Sequence, residues 1–208
     1  MSHGLFPERI ETERLVLERM GVAETDYFEF YDLVRREDWE ASTAEMPWFR
    51  LENLGEVAEF VEVVDEQWRG RERARYLIRA TEEAGELVGT ASLLPEWDEK
   101  RAGSDIVLAK EYWGRGYGTE RACAFVELAF EVLDLDAYYT TCAAGNERSK
   151  RMIESYVERY GGRHEGLLRQ HSARPDGGVT DQHRFSIIRE EYEAATESEE
   201  TLACELAW

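Results

Sequence analysis

One segment, residues 106–130, constrains the fold more than any other: IVLAKEYWGRGYGTERACAFVELAF. Ile106, Val107 and Leu108 form a short apolar run of the kind found in a buried strand. Gly114, Gly116 and Gly118 then fall at alternate positions inside Trp113–Thr119. A helical pattern follows at once, with Ala122, Val126, Ala129 and Leu133 on one face. A strand, a glycine turn and a helix N-terminus in succession make an anion site. Glycine permits positive φ and close approach to the backbone. The first-turn N–H groups have no intrahelical acceptor, and the helix dipole adds to their pull on negative charge.

The rest of the chain reads as one α/β domain. Strands are expected at 14–18, 73–81, 86–94, 104–109, 136–143, 162–171 and 179–189, and helices at 24–36, 54–68, 119–133 and 146–160. Residues 39–50 mix Trp39, Met46, Pro47, Trp48 and Phe49 without a period and read as a loop or broken helix. This order predicts a mixed, mostly antiparallel sheet with helices on both faces. The domain would span 1–192, and 193–208 would be an acidic tail with a short helix carrying Leu202, Leu206 and Trp208. Those apolar residues would cover either the domain's own surface or a partner's, as in a homodimer.

Composition removes several classes. The formal net charge is −20, and Lys100, Lys110 and Lys150 are the only lysines among 25 basic residues. Nucleic acid is a poor partner for such a surface, because phosphate contacts require a basic face. Dispersed acid with little lysine fits a salt-rich, halophilic-type cytoplasm, where repulsion is screened. No apolar stretch reaches the length of a membrane span, and residues 1–15 lack a signal-peptide core, so a soluble cytoplasmic protein is expected. Cys123, Cys142 and Cys204 lack metal-type spacing and read as buried thiols, so no metal is expected.

The glycine turn is neither a Walker loop, since no Gly-Lys-Ser/Thr follows, nor a dinucleotide fingerprint. A second signal lies one strand–helix unit later. In Gly145-Asn146-Glu147-Arg148-Ser149, Asn146 caps the next helix or contacts a ligand. With Ile10–Leu17, Glu111–Glu120, Asn146–Ser149 and Asp181–Tyr192 taken in order, residues 8–192 resemble the GNAT N-acetyltransferase superfamily, in its RimJ/RimL-like branch of ribosomal-protein N-terminal acetyltransferases.

The resemblance implies acetyl-coenzyme A as co-substrate. Ile106, Val107 and Leu108 would hold the pantetheine arm in a gap between the strands at 104–109 and 136–143. Amides of Trp113, Gly114, Arg115, Gly116, Tyr117, Gly118 and Thr119 would hold the pyrophosphate, with Arg115 and Arg121 adding charge. Asn146 would contact the arm. The chemistry implied is direct attack of an amine, from a protein N-terminus or a small molecule, on the thioester. The superfamily's usual tyrosine acid falls on Ile153, which leaves Ser149 as the substitute. The carboxylate of related strands falls on Gly103, with Asp105 two residues on as its replacement. Glu40, Glu45 and His183 are further candidates for the base. Trp39, Met46, Trp48 and Phe49 would form an apolar wall for the acceptor. Arg69, Arg71, Arg73 and Arg75 read as a salt-bridged strand face. The alternative is a non-catalytic acyl-coenzyme A-binding or sensor domain.

Overall fold

The computed structural model describes residues 4–43, 46, 49–173, 177–197 and 204–208, the side chain of Glu40 excepted. Within them lies one nine-stranded sheet. In chain order its strands are β1 (Arg9–Glu11), β2 (Leu15–Arg19), β3 (Ala74–Ala80), β4 (Glu86–Glu96), β5 (Arg101–Leu108), β6 (Ala137–Ala143), β7 (Arg163–Ala173), β8 (Val179–Ile188) and β9 (Glu205–Ala207). The spatial order is β7-β8-β6-β5-β4-β3-β2-β1-β9. Every pairing is antiparallel except β5 with β6. The expected α/β class and mixed sheet are both present.

Six helices dress the sheet: α1 (Tyr27–Val34), α2 (Glu37–Ser42), α3 (Leu54–Arg69), α4 (Tyr117–Glu127), α5 (Glu147–Arg159) and α6 (Arg189–Thr196). Local chemistry sets their starts. Asp26 accepts from the Phe28 and Glu29 amides at the head of α1, and Asn53 accepts from Glu56 at the head of α3. α4 and α5 pack on one face, where Phe125 meets Tyr76 and Tyr156 meets Tyr138. The opposite face carries Arg75 and Arg79, met by Phe60 of α3 and Glu29 of α1. No described helix is long and apolar enough to cross a membrane.

Besides β1, where no strand was expected, and α6, which runs across the expected boundary at 192, two readings differ from the structure. Residues 37–42 form α2, whose short pattern was too brief for a period to show. Residues 205–207 form a strand instead of a helix, because β1 offers an unpaired edge and Leu206 packs on the core. Leu202 lies outside the described residues.

The feature that positions the site is a break in the sheet. β5 and β6 pair only through Arg101↔Ala137, Ala102↔Tyr138 and Gly103↔Tyr139. Beyond that point β5 stays paired to β4 as far as Leu108, while β6 stays paired to β8 as far as Ala143. The two strands therefore diverge, and among the described residues no strand pairs with the β6-side edge of residues 104–108.

Candidate active site

A cavity of about 330 Å³ occupies this divergence. Ile106, Val107 and Leu108 of β5 form one wall. Asn146, Arg148, Ser149 and Met152, at the start of α5, form a second. Trp113, Gly114, Gly116, Tyr117, Gly118 and Thr119 close one end, and Ser42, the last residue of α2, and Met46 beyond it reach in. Because Val107 points to the opposite face of the sheet from Ile106 and Leu108, the cavity is lined from both faces.

The glycine turn is built as an anion cradle. Gly114 and Gly116 have φ of +77° and +87°. Gly116 is the N-cap of α4 and supplies no side-chain cap, so the first-turn amides lack the partner a Ser or Asp would give. The turn is pinned from outside. The Trp113 indole donates to the Leu108 carbonyl at 2.9 Å. Arg14 donates to the Arg115 carbonyl at 2.9 Å and to Glu120 through Nε at 2.8 Å and Nη2 at 2.7 Å. Thr12 also donates to Glu120, at 2.6 Å. The opening motif and Glu120 thus brace the loop, roles that similarity of sequence alone did not reveal.

The expected residues fall into two groups. Ile106, Val107, Leu108, Trp113, Gly114, Gly116, Tyr117, Gly118, Thr119, Asn146 and Ser149 all line the cavity. Arg115 does not: its guanidinium pairs with Glu83 and lies over Tyr112. Arg121 is buried beneath β5, donating to Ser104 at 3.1 Å. The cation in the lining is instead Arg148, its guanidinium carbon 3.2 Å from the Trp113 ring centroid. Burial, and then Arg151, lower its pKa. It is the one charged side chain among the described lining residues. Its place inside the Asn146–Ser149 motif was the signal that could have found it.

Asn146 caps α5, accepting from the Ser149 amide at 3.1 Å. Ile153 is buried at the usual acid position. Tyr156 and Tyr160 are core residues, and burial raises both phenols. Asp105 is not in the lining but shares a face with Val107, one step down β5. The Tyr139 ring fills the space a Gly103 side chain would take, with its Cζ 2.9 Å from an added Cβ. A carboxylate is thus sterically displaced from position 103, and Asp105 is the acidic residue that β5 carries on this face. His183 sits on β8 against His164 at 2.9 Å, outside the lining. Trp39 and Phe49 are core, packed edge-on at 5.7 Å, so of the expected wall Met46 lines the cavity. Glu45, Trp48 and the side chain of Glu40 lie outside the described residues. All three cysteines are free and buried, and burial pushes Cys142 up to about 11 and Cys204 up to about 12. Among the described residues no group of three His, Cys, Asp or Glu is placed to hold a metal.

A sheet split between two parallel strands, with an uncapped helix N-terminus at the mouth of the split, is the architecture of an acyltransferase that handles a long anionic donor. The family description "Acetyltransferase (GNAT) domain" matches residues 14–156, and the chain belongs to that family. It is 23% identical over 188 residues to the "Uncharacterized N-acetyltransferase p20" of Bacillus licheniformis, covering 89% of this chain and 98% of that protein. A GCN5-related N-acetyltransferase from Brucella melitensis superposes with a TM-score of 0.74 at 21% identity, over 92% of this chain and 83% of that one. The microcin C7 self-immunity acetyltransferase MccE, solved with acetyl-CoA and AMP, superposes at 0.73 with 16% identity, over 85% and 93%.

Proposed function

We propose that this protein transfers the acetyl group of acetyl-coenzyme A to the primary amine of a peptide N-terminus or of a small cationic molecule. The observation that carries the proposal is the cavity itself. It joins a free strand edge to an uncapped helix N-terminus and, among the described residues, is lined by one cation and no carboxylate. A thioester on a pantetheine arm suits the strand edge, and a pyrophosphate suits the amides of Gly116–Thr119 with Arg148 beside them. The acetyl-CoA bound in the MccE structure supports the same donor. The Trp113 loop and the Asn146-to-Ser149 spacing support a RimJ/RimL-like member.

The chemistry needs no covalent enzyme intermediate. The amine nitrogen attacks the thioester carbonyl carbon, and a C–N bond forms as the C–S bond breaks. Backbone N–H groups along 106–108 stabilise the oxyanion. The ammonium first gives one proton to Asp105, directly or through water; after attack the departing thiolate takes a proton from Ser149, which recovers it, directly or through water, from the nitrogen as the amide forms. The dispersed carboxylates favour a cationic acceptor.

The test is a thiol-release assay with acetyl-CoA across free-amine peptides, polyamines and amino sugars, alongside thermal melting with the donor. Donor-dependent stabilisation with turnover on at least one amine supports the proposal. No shift in melting temperature removes the donor assignment. Stabilisation without turnover on the whole panel overturns catalysis and leaves an acyl-coenzyme A-binding module.

A further inference from the structure

Arg75 departs most from its expected surface role. Its side chain is 1% exposed. The strand registers explain its neighbours: Arg75 lies opposite Ser92, and Ser92 lies opposite Asp105. Side chains directly opposite share a face, so Arg75, Ser92 and Asp105 form one row across β3, β4 and β5. The row is polar, yet aromatic rings roof it. The guanidinium carbon lies 5.0 Å from the Phe49 ring centroid and 5.7 Å from that of Phe60.

The row is conspicuously under-bonded. Arg75 reaches Asp105 Oδ2 at 3.6 Å and Thr90 Oγ1 at 3.4 Å, both long. Arg75 Nε, Ser92 Oγ and Asp105 Oδ1 are shielded from solvent and have no hydrogen-bond partner. Leaving such groups unpaired forfeits the hydration each had in the unfolded chain, which proteins tolerate mainly where a ligand or water completes the set. Asp105, at 32% side-chain exposure, is the member that meets solvent. It lies roughly 6.6 Å along the strand from Val107, which lines the cavity.

We infer that this row is the floor of the acceptor site, with Asp105 receiving the cationic head of the amine and Arg75 acting as a positioning residue that fixes the Asp105 carboxylate. The inference rests on the acetyl-transfer reading. Arg75 is too deeply buried to meet the acceptor, so it acts through Asp105. Ser92 Oγ, between them, completes the carboxylate's hydrogen bonding once an amine or its water is bound. Other charged groups on this face are engaged elsewhere: Arg79 pairs with Glu18 and Glu29, Tyr139 donates to Glu96, and Arg101 and Arg184 lie over the Tyr139 ring, while Arg73 adds like charge near Arg75. The incoming amine meets Asp105 as the open carboxylate of this row.

The experiment compares wild type with Arg75→Met, Arg75→Lys, Asp105→Asn and the Arg75→Met/Asp105→Asn double variant, using the best amine from the thiol-release panel. Methionine keeps the length that packs between Phe49 and Phe60; in the double variant both charges go, an exchange that is often neutral or stabilising, whereas Arg75→Met alone leaves Asp105 without its cation and is the variant at risk of misfolding. The expected result is a tenfold or greater loss in amine kcat/KM for Arg75→Met and for Asp105→Asn. The double variant falls little further, Arg75→Lys recovers part of the loss, and acetyl-CoA affinity stays within about twofold throughout. Unchanged amine kcat/KM in Arg75→Met, fully additive losses, or equal loss of acetyl-CoA affinity would each overturn the inference. If Arg75→Met does not fold, Asp105→Asn against Arg75→Lys decides it: wild-type amine KM in both refutes the floor. Absence of wild-type turnover strikes the acetyl-transfer reading itself, and so separates the two failures.

Discussion

Gly116→Ala offers a quantitative test of the loop, with Gly114→Ala as its control. Both positions have positive φ, so each substitution carries a left-handed strain of roughly 1–2 kcal/mol. Their surroundings differ. A Cβ at Gly114 meets nothing within 4 Å, whereas one at Gly116 comes 3.0 Å from Arg14 Nη2. That guanidinium cannot give way freely, since it is held by Glu120 and by the Arg115 carbonyl. Displacing it weakens about one charge-assisted hydrogen bond at a partly exposed site, about 1 kcal/mol more. In a chain of this size 1 kcal/mol lowers the melting temperature by roughly 2–4 °C. Gly114→Ala should therefore lose roughly 2–8 °C, and Gly116→Ala roughly 2–4 °C beyond that. Gly116 is also the N-cap, so its distortion re-aims the amides behind it. Two amide bonds to a charged ligand lost at about 1.5 kcal/mol each lower donor affinity roughly a hundredfold. Scanning fluorimetry gives the first quantity and titration calorimetry with acetyl-CoA the second. A Gly116→Ala protein no less stable than Gly114→Ala, with donor affinity intact, would refute both the bracing role of Arg14 and the anion cradle.

The remaining expectations follow from single groups. Ser149→Ala should lower kcat about tenfold or more while leaving acetyl-CoA affinity unchanged; equal turnover would remove Ser149 as the acid. Burial raises Cys142 and Cys204 from 9.0 to about 11 and about 12, and Tyr139 from 10.0 to about 12. Over that range the folded chain binds more protons than the unfolded one. These groups therefore contribute full stability below about pH 9 and lose it as pH rises toward 12; melting curves flat from pH 8 to 11 would contradict this burial. Raising KCl from about 0.1 to 1 M shortens the screening length from roughly 10 to 3 Å. With a net charge of −20, this should raise the melting temperature, lower the KM of the anionic donor and raise that of a cationic amine. A donor KM that rises with salt would show that the cavity's own charge, not the net charge, governs approach.

The glycine loop was legible because its signal is local: three alternate glycines between an apolar run and a helix need no tertiary knowledge. Asn146 and Ser149 were legible for the same reason. Arg115 looked like a phosphate ligand because it stands between two glycines, yet Glu83, over thirty residues away in sequence, claims it. Arg75 sat in an arginine-rich stretch that reads as surface. Only the registers of three strands show it lying opposite Ser92 and two strands from Asp105. The short β9 was hidden because its stability comes from the edge of β1, at the other end of the chain.

The arrangement of the arginines gives the site its character. In a chain with 45 acidic residues against 25 basic ones, a carboxylate is seldom far from any guanidinium. Arg14 takes Glu120, Arg36 takes Asp38 and Glu86, and Arg79 takes Glu18 and Glu29. Three arginines around β5 have weak carboxylate pairing or none. Arg121, under Ser104, and Arg148, against Trp113, have no carboxylate partner among the described residues, and Arg75 reaches Asp105 only at 3.6 Å. These under-paired cations flank β5 from below, from the mouth of the cavity and from the acceptor face. The N-terminus of α4 adds its partial positive charge at the same end. The strand whose free edge is proposed to hold the thioester therefore lies in a locally positive enclosure within a strongly negative protein. Such fixed charge stabilises an oxyanion and a departing thiolate without reorganising when they form, while the acidic exterior would draw in a cationic acceptor of the kind proposed.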